Sequence, residues 1–532
     1  YTFEAAGAIL GGLAASGAFL AGLDGPATIA TGGLCTSLAA MPWRRGLGMR
    51  PRWVPLLASL ACLSLLLPPT GPAIRGALSD LRLRANLAGA ERLGETSTPY
   101  GLVTTARVQA ATVVLADEAV ILSAPPGPDV AVEAALLAVQ PSRRETAVLL
   151  GTTRLPLAAA LCSAFREVEV VGPDTGAMEA LATAWESAAG PLPGNLRRVV
   201  EDPRARLRRA IAAGTRFDLV VVAVGEPRTL ADNRLHTVEF HREARRALAD
   251  GGVLASPFRA GENVMGPEVL RYARSMRASM AEAFASVAVL PGDEALLLAS
   301  TEPGRLAADR ASLEQRVRDL PPRAAGASAA LVGERARPDR AEWLRRQLEE
   351  PVAGEDLVNR DDRPIATFLS LLAGLRLAGT TGLGWAWGAR QSGFLLPAGL
   401  LVLLLLLGTR ERLRAGPAPG TVVAMLLLAC AGGASIASTV VLMAAWRTQV
   451  GALFGEIGLA SAAGMAGMFL GARAARDVPR TAARPVADGF CAVAAALLGC
   501  MPWVAGALAE AGPAAVGTVL LVLRGVSGGT ST

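Results

Sequence analysis

The residues that could do chemistry stand at the ends of predicted β-strands in the middle of the chain, where strand and helix patterns alternate. In a parallel α/β sheet, ligands bind at the carboxyl ends of the strands. The first such strand, Ala147–Leu150, is followed by Gly151 and then by Thr-Thr-Arg-Leu-Pro, so one glycine is left in a turn whose backbone would have to approach a ligand closely. The fourth strand, Leu219–Val222, is followed by Ala223 where a catalytic carboxylate would be expected. Glu226 could replace that carboxylate only if the loop folds back.

Acids near the ends of the second and third strands are candidates for binding a nucleoside. The second strand, Val168–Val171, should end in an acid that binds ribose hydroxyls. Instead, Glu169 alternates with apolar residues and Asp174 comes late, so we expect no working ribose clamp. Asp202 follows the third strand, Arg197–Val200, and either binds an adenine amino group or is a solvated acid of a turn.

Metal and disulfide chemistry are not expected. The only two histidines, His236 and His241, flank a short segment for which we predict a surface or packing role. The six cysteines form no CxxC pair and five lie in apolar helical stretches, so neither a zinc site nor a disulfide framework is indicated, and we predict no cofactor. The cysteines are Cys35, Cys62, Cys162, Cys430, Cys491 and Cys500.

Apolar residues are concentrated at the two ends of the chain, around a charged and arginine-rich middle. Mean hydropathy is +0.39, and 18% of the 532 residues are charged, which is too apolar for an ordinary soluble enzyme. A helical membrane span needs about 20 apolar residues. Because Tyr1 precedes an apolar run without a cationic region, we predict missing upstream residues rather than a signal peptide. The candidate spans are Phe3–Gly22, Ala27–Trp43, Trp53–Pro69, Gly393–Gly408, Gly420–Ala445, Gly451–Ala472, Gly489–Val504 and Gly512–Leu523.

The arginines between these spans predict how the chain is oriented. They cluster in alternate loops, at 44–52, 410–414 and 473–484, and the opposite loops have almost none. Since positively charged loops stay in the cytoplasm, we predict a bacterial inner-membrane protein whose soluble domain is extracytoplasmic. This pattern explains the excess of arginine better than nucleic-acid binding does. Two acids, Glu4 and Glu456, lie within spans and are candidates for an intramembrane or interfacial role.

The fold class predicted from these patterns is a multi-pass α-helical membrane protein with an inserted α/β domain. Short alternating strands precede a region in which helices and strands alternate, which is typical of a parallel sheet covered by helices. The predicted regions are about three N-terminal spans in 1–70, a small β-sheet subdomain in 75–130, the α/β domain in 131–305, a charged helical extension in 306–364, an interfacial helix in 365–392 and about five C-terminal spans in 393–532.

Several segments resemble spermidine synthases, especially those fused to membrane domains. In the soluble part they are Asn233-Arg-Leu-His-Thr-Val-Glu-Phe, Gly261-Glu-Asn-Val-Met-Gly-Pro-Glu, Val289-Leu-Pro-Gly-Asp and Val358-Asn-Arg-Asp-Asp-Arg-Pro-Ile. In the apolar ends they are Tyr1-Thr-Phe-Glu-Ala-Ala-Gly-Ala-Ile-Leu-Gly-Gly and Gly464-Met-Ala-Gly-Met-Phe-Leu-Gly. The resemblance covers nearly the whole chain, and no single motif carries it.

This resemblance implies a methyltransferase-like Rossmann sheet preceded by the small β-sheet subdomain. Active members transfer an aminopropyl group from decarboxylated S-adenosylmethionine to putrescine, and an acid deprotonates the attacking amine. By the resemblance, that acid corresponds to Ala223, the ribose-binding acid to Val170, and a substrate-binding Tyr-His pair to Ala131 and Val132. Since a cationic amine needs carboxylates, we predict no catalytic residue. A vestigial ligand pocket would be lined by Glu133, Gly151, Asp202, Ala223 and Glu226.

Three functions remain open at this stage. A retained scaffold with an emptied site favours a non-catalytic structural or assembly subunit, whose α/β domain docks other membrane protein subunits and binds no S-adenosyl compound. A transferase of altered specificity would instead use Glu133, Asp202 and Glu226. A small-molecule transporter would need ionisable residues within its spans, and only Glu4 and Glu456 qualify.

Overall fold

The computed structural model divides the chain into two compact units, residues 22–375 and residues 1–21 with 376–532. Most of the predicted C-terminal spans, and the first N-terminal one, lie outside the described residues. The structure describes residues 25–43, 53–67 and 70–377 with gaps at 68–69, 99, 117–118, 260–264, 293, 322–325 and 351–355, together with 454–476 and scattered residues at 7, 9–11, 13–14, 379–380 and 439–440.

A seven-stranded sheet forms the centre of the unit of residues 22–375, in the order β7-β6-β5-β8-β9-β11-β10. The first five strands in that order run parallel, and β11 and β10 are antiparallel to their neighbours. This order confirms the predicted methyltransferase-like Rossmann sheet. The strands are β5 Thr146–Leu150, β6 Glu167–Gly172, β7 Leu196–Val200, β8 Phe217–Val222, β9 Leu248–Arg259, β10 Ser286–Leu290 and β11 Glu294–Ser300.

Helices cover this sheet because its central strands are apolar on both faces. Every residue of β8 is buried, as expected for a parallel strand with helices above and below it. The helices of this domain are α4 Pro128–Ala138, α5 Leu155–Leu161, α6 Thr175–Ala189, α7 Pro203–Ala212, α8 Leu230–Asn233, α9 Val238–Ala247, α10 Pro267–Ala281, α11 Arg310–Arg318, α12 Ala329–Glu334 and α13 Pro338–Glu349.

A four-stranded antiparallel sheet precedes the Rossmann sheet, with its strands in chain order. Three of these strands were predicted, but the polar β1 was not. The segment before them is a helix, α3, which the sequence did not predict; its Leu83 packs into a small core with Ala106 and Leu115. The strands are β1 Glu91–Thr98, β2 Gly101–Val108, β3 Ala111–Ala116 and β4 Ala119–Ala124, and α3 is Thr70–Asn86.

Four apolar helices coincide with predicted membrane-associated segments: α1 Gly25–Trp43, α2 Val54–Leu66, α14 Ile365–Leu377 and α15 Phe454–Arg476. Among the described residues, no single helix has both the length and the apolar composition needed to cross a bilayer. Helices α2 and α3 meet those criteria only when taken together, and an 83° bend separates them.

Candidate functional site

The turn after β5 lies at the topological switch point of the sheet, where the strand order reverses between β5 and β8. Gly151 has a φ of +126° and donates its backbone N–H to the Val171 carbonyl at 2.8 Å. A Cβ at this position would collide with the Ala223 carbonyl, so the site requires glycine. Thr153 donates both its N–H (3.1 Å) and its hydroxyl (2.7 Å) to that same carbonyl. Thr153 therefore occupies part of the edge at which an α/β sheet of this topology binds its ligand.

Thr152 fills the neighbouring space at the end of β6. Its methyl group lies so close to Gly172 that a Cβ there would collide with it. The positions expected to bind a ribose provide no available carboxylate. Val170 is buried, and Glu169 forms an ion pair with Arg206 (2.8 Å). Asp174 caps the first turn of α6, accepting from the Ala177 N–H at 3.1 Å. Neither acid faces a free space after β6.

Asp202 lies in the turn before α7, where its side chain is 27% exposed and has partners within the protein. It caps α7 by accepting from the Ala205 N–H at 2.9 Å. The Arg234 guanidinium donates to both carboxylate oxygens, at 2.9 and 3.1 Å. These hydrogen bonds give the residue a structural role.

A cleft of about 820 Å³ opens beside these blocked positions, between the β3–β4 region, α4 and the ends of β8 and β9. Of the five residues predicted for the ligand pocket, Glu133 and Glu226 line it, whereas Gly151, Asp202 and Ala223 do not. The cleft is nevertheless rich in acids, which corrects the expectation of an emptied site. It is lined by the carboxylates of Asp129, Glu133, Glu226, Asp232 and Glu294 and by the guanidinium groups of Arg154, Arg228 and Arg259.

Arg154 joins two of these carboxylates. Its guanidinium donates to both oxygens of Glu133, at 2.7 and 3.0 Å, and also to Glu294. Burial raises the pKa of Glu133, and the Arg154 charge opposes that rise. The Arg154 side chain is 12% exposed and that of Glu294 is 63% exposed, so this bridge borders solvent.

The other wall of the cleft carries a weaker set of charges. Glu226 is 3.3 Å from Arg259 and 3.8 Å from Arg228. Its loop does reach the cleft, as replacement of a carboxylate at Ala223 would require. Burial raises the pKa of Asp232, whose carboxylate accepts from the Thr229 hydroxyl at 2.7 Å. Five acids and three arginines line the cleft, and this excess of acidic side chains suits a cationic ligand.

A second group of charges, which we call the Arg204 cluster, lies under the segment 359–363. Arg204 is 1% exposed and makes paired hydrogen bonds of 2.9–3.0 Å to Glu243 and to Asp361. Arg208 donates to Glu243 at 2.9 Å, and the Thr237 hydroxyl donates to Asp361 at 2.8 Å. All the carboxylates of this cluster have partners within the protein.

His236 and His241 flank this cluster and are completely buried, which confirms the packing role and excludes a surface one. Burial lowers the pKa of His236 to about 3 and that of His241 to about 4. Of the two acids singled out in the apolar segments, Glu4 lies outside the described residues, and Glu456 lies near the start of α15.

Solved structures with a similar fold include spermidine synthases. The enzyme from Thermotoga maritima is 12% identical over 48% of this chain and 87% of its own, with a TM-score of 0.37. A probable spermidine synthase from Corynebacterium glutamicum is 15% identical over 51% of this chain and 99% of its own, with a TM-score of 0.34. A spermidine synthase in complex with the transition-state analogue AdoDATO is 12% identical, with a TM-score of 0.36. This likeness is one of fold, over about half of the chain.

No protein-family model matches the sequence, and no curated protein is significantly similar to it.

Proposed function

We propose that this chain is a non-catalytic integral membrane protein whose spermidine-synthase-like domain serves as a docking surface for other membrane protein subunits. The observation that carries this proposal is the turn Thr152–Arg154, whose side chains occupy part of the crevice at the ends of β5, β6 and β8. These side chains reduce the room for a nucleoside at the ends of β5 and β6, and Thr153 and Arg154 also line the open cleft. Binding sites in α/β sheets are normally formed before the ligand arrives, so a partly filled crevice argues against an S-adenosyl substrate.

The positions that would support such a substrate agree with this interpretation. A ribose is held by an acid at the end of the second strand, and the end of β6 offers Val170 and Gly172, the latter covered by Thr152. A general base must lie within hydrogen-bond reach of its proton. Ala223 has no such group, and Glu226 already lies near two arginines. Transfer from an S-adenosyl donor would therefore lack both its donor site and a free base.

Calorimetry on the purified full chain tests the partly filled crevice. We expect no heat with decarboxylated S-adenosylmethionine or methylthioadenosine at millimolar concentration. A Thr152→Gly/Thr153→Gly variant removes the two side chains from the crevice and should gain measurable binding. Thr215→Gly, in the exposed loop after α7, is the matched control and should bind nothing. Tight binding by the unaltered chain would refute the proposal.

The membrane part of the proposal concerns localisation and partners. The apolar composition and the alternating arginines support a bacterial inner-membrane protein with an extracytoplasmic α/β domain. A reporter enzyme that works only outside the cytoplasm should be active when inserted between residues 304 and 338. A reporter that works only in the cytoplasm should be inactive at the same place. Native purification should recover other membrane proteins with the chain, and a charge-reversed α/β surface should release them. Recovery of the chain alone would count against a docking role.

A transferase of altered specificity is the second candidate, because five carboxylates line the cleft and Glu226 is among them. An acid-lined cleft suits a cationic amine acceptor. Product formation from an aminopropyl donor and an amine, lost in Glu226→Gln, would establish this alternative. The transporter alternative rests on Glu4 and Glu456 alone and has no further support.

A further inference from the structure

Helix α3 presents one face to the small β-sheet. Asp80 accepts from Arg92 Nε at 2.6 Å, and the same arginine donates to the Gly76 carbonyl at 3.3 Å. Ser79 donates its hydroxyl to Glu95 at 2.9 Å. Leu83 completes the contact and is 5% exposed. The spacing of 76, 79–80 and 83 along a helix defines this inner face.

The opposite face of α3 carries large apolar side chains that point away from the protein. Ile74, Leu78 and Leu81 are 38%, 52% and 68% exposed. Their spacing places them on one side of the helix, separate from the inner face. Arg82 and Arg84 are exposed beside them, near the C-terminal end. A helix with an apolar outer stripe flanked by arginines is typical of one that lies in a membrane interface.

The apolar surface of α3 continues that of the preceding helix. Helix α2 contains no charged residue, and its Leu56, Leu57 and Leu60 are each more than half exposed. The axes of the two helices differ by 83°. If α2 enters a bilayer along its normal, α3 leaves almost parallel to the bilayer surface.

We propose that α3 lies in the interface of a bilayer that contains anionic lipid, with Ile74, Leu78 and Leu81 at the level of the acyl chains and Arg82 and Arg84 at the phosphates. This inference rests on the membrane part of the proposed function. It adds that the inner face of α3, through Asp80 and Leu83, holds the small β-sheet against the membrane. Attraction between arginine side chains and anionic headgroups makes anionic lipid the expected partner.

Photocrosslinking to lipid tests this placement in the full chain. The protein is reconstituted into nanodiscs whose phosphatidylcholine carries a diazirine in its acyl chain, with or without phosphatidylglycerol, and adducts are mapped by mass spectrometry. We expect adducts on α2 in both bilayers. Adducts on Ile74, Leu78 and Leu81 should be several-fold more frequent than on the inner face, and phosphatidylglycerol should increase them.

Failure of this inference and failure of the proposed function give different maps. Adducts on α2 without adducts on α3 would overturn the interfacial placement while leaving the membrane proposal in place. Absence of adducts from both helices would overturn both.

Matched variants separate the two parts of the interaction. Arg82→Gln/Arg84→Gln should abolish the dependence of α3 adducts on phosphatidylglycerol and leave α2 adducts unchanged. Leu78→Ser/Leu81→Ser should reduce adducts on α3 several-fold in both bilayers. Leu331→Ser, a leucine that is 57% exposed on α12, is the control and should change neither map.

Discussion

Two arginines in the α/β domain each bridge a pair of carboxylates, yet their surroundings differ. Arg154 joins Glu133 to Glu294 beside a cleft of about 820 Å³. Arg204 joins Glu243 to Asp361 beneath the segment 359–363. The Arg154 side chain is 12% exposed and that of Arg204 is 1% exposed. The first bridge can exchange its partners for water or a ligand, whereas the second cannot.

This difference separates charge that holds the fold from charge that is available for binding. A buried ion pair that loses one partner leaves the other charge without compensation, and the cost is large. Breaking an ion pair that borders solvent lowers the free energy of unfolding much less, because water compensates the remaining charge. The same residue types, acids and arginines, therefore stabilise the fold in the Arg204 cluster and are available for binding in the cleft.

The largest effect is expected from Arg204→Met. Removing this guanidinium leaves Glu243 and Asp361 with fewer compensating charges, at side-chain exposures of 18% and 14%. We expect a loss of about 3–5 kcal/mol in the free energy of unfolding of the α/β domain. Hydrogen exchange of the slowest β8 amides, in the full chain in nanodiscs, measures this loss.

Arg208→Met is the control for that experiment. Arg208 lies on the same helix and donates to the same Glu243, but its side chain is 29% exposed. Its removal should cost about 1 kcal/mol. Equal effects from the two variants would mean that burial does not distinguish them, and the comparison of the two clusters would fail.

Acid should weaken the Arg204 cluster through the two buried histidines. Their pKa values in the folded protein are about 3 and about 4, below the ordinary histidine pKa of about 6.5. The unfolded chain therefore takes up protons first, and the stability that these groups contribute is present above pH 6.5 and is lost as the pH falls toward 4. Between pH 6.5 and pH 4.5 the loss is about 2–3 kcal/mol for each histidine.

A single substitution checks the source of this pH dependence. His241→Leu keeps an apolar side chain at the buried position and removes one titrating group. Hydrogen exchange at pH 7 and pH 4.5 should show a smaller loss of stability in acid for this variant than for the unaltered chain. Cleft acids respond in the opposite direction, because burial raises the pKa of Glu133 and Asp232. If the variant loses as much stability in acid as the unaltered chain, His241 is not a source of the pH dependence.

The sequence predicted the sheet better than it predicted these charge clusters. Buried apolar runs such as β8 identify parallel strands directly, and the structure has Gly151 and Ala223 directly after the ends of β5 and β8, as the predicted strands have them. The partners of Arg154 and Arg204 are up to 140 and 157 residues away, and no local pattern reports such pairs. Asp202 was assigned to a ligand pocket for the same reason, since Arg234 lies 32 residues further along the chain.

Two local elements were also missed, for different physical reasons. Strand β1 is an edge strand of polar sequence, Glu91–Thr98, so it lacks the apolar alternation by which a strand is recognised. Helix α3 has leucines on both faces, with Leu83 against the sheet and Leu78 and Leu81 exposed. Because the inward Leu83 stands opposite the outer apolar stripe, the sequence alone does not separate the two faces of this helix.

The close contact between the turn after β5 and the Ala223 carbonyl can be tested at Gly151. Gly151→Ala forces a left-handed backbone onto an alanine and drives its Cβ into the Ala223 carbonyl. We expect a loss of about 2–3 kcal/mol, since backbone strain and collision add. Gly190→Ala is the control, with a φ of +89° but open space around a Cβ, and strain alone should cost it about 1 kcal/mol. Equal losses would mean that the turn yields to the new methyl group.

The smallest effect on stability, and the most informative on binding, is expected from Arg154→Gln. Solvent can compensate Glu294, which is 63% exposed, and burial already favours the protonated form of Glu133 by raising its pKa, so the free energy of unfolding should fall by only about 1 kcal/mol. The cleft then loses one of its three arginines and keeps its five carboxylates. Putrescine, used as a simple dication, should bind about three- to tenfold more tightly to this variant by calorimetry, because one repulsive charge has gone.

Arg228→Gln is the control. Arg228 is 3.8 Å from Glu226 and its side chain is 63% exposed, so this variant should give a smaller gain in putrescine binding. Unchanged binding in both variants would mean that the cleft charges do not act on a cationic ligand, and the distinction between the two clusters would then be one of burial alone.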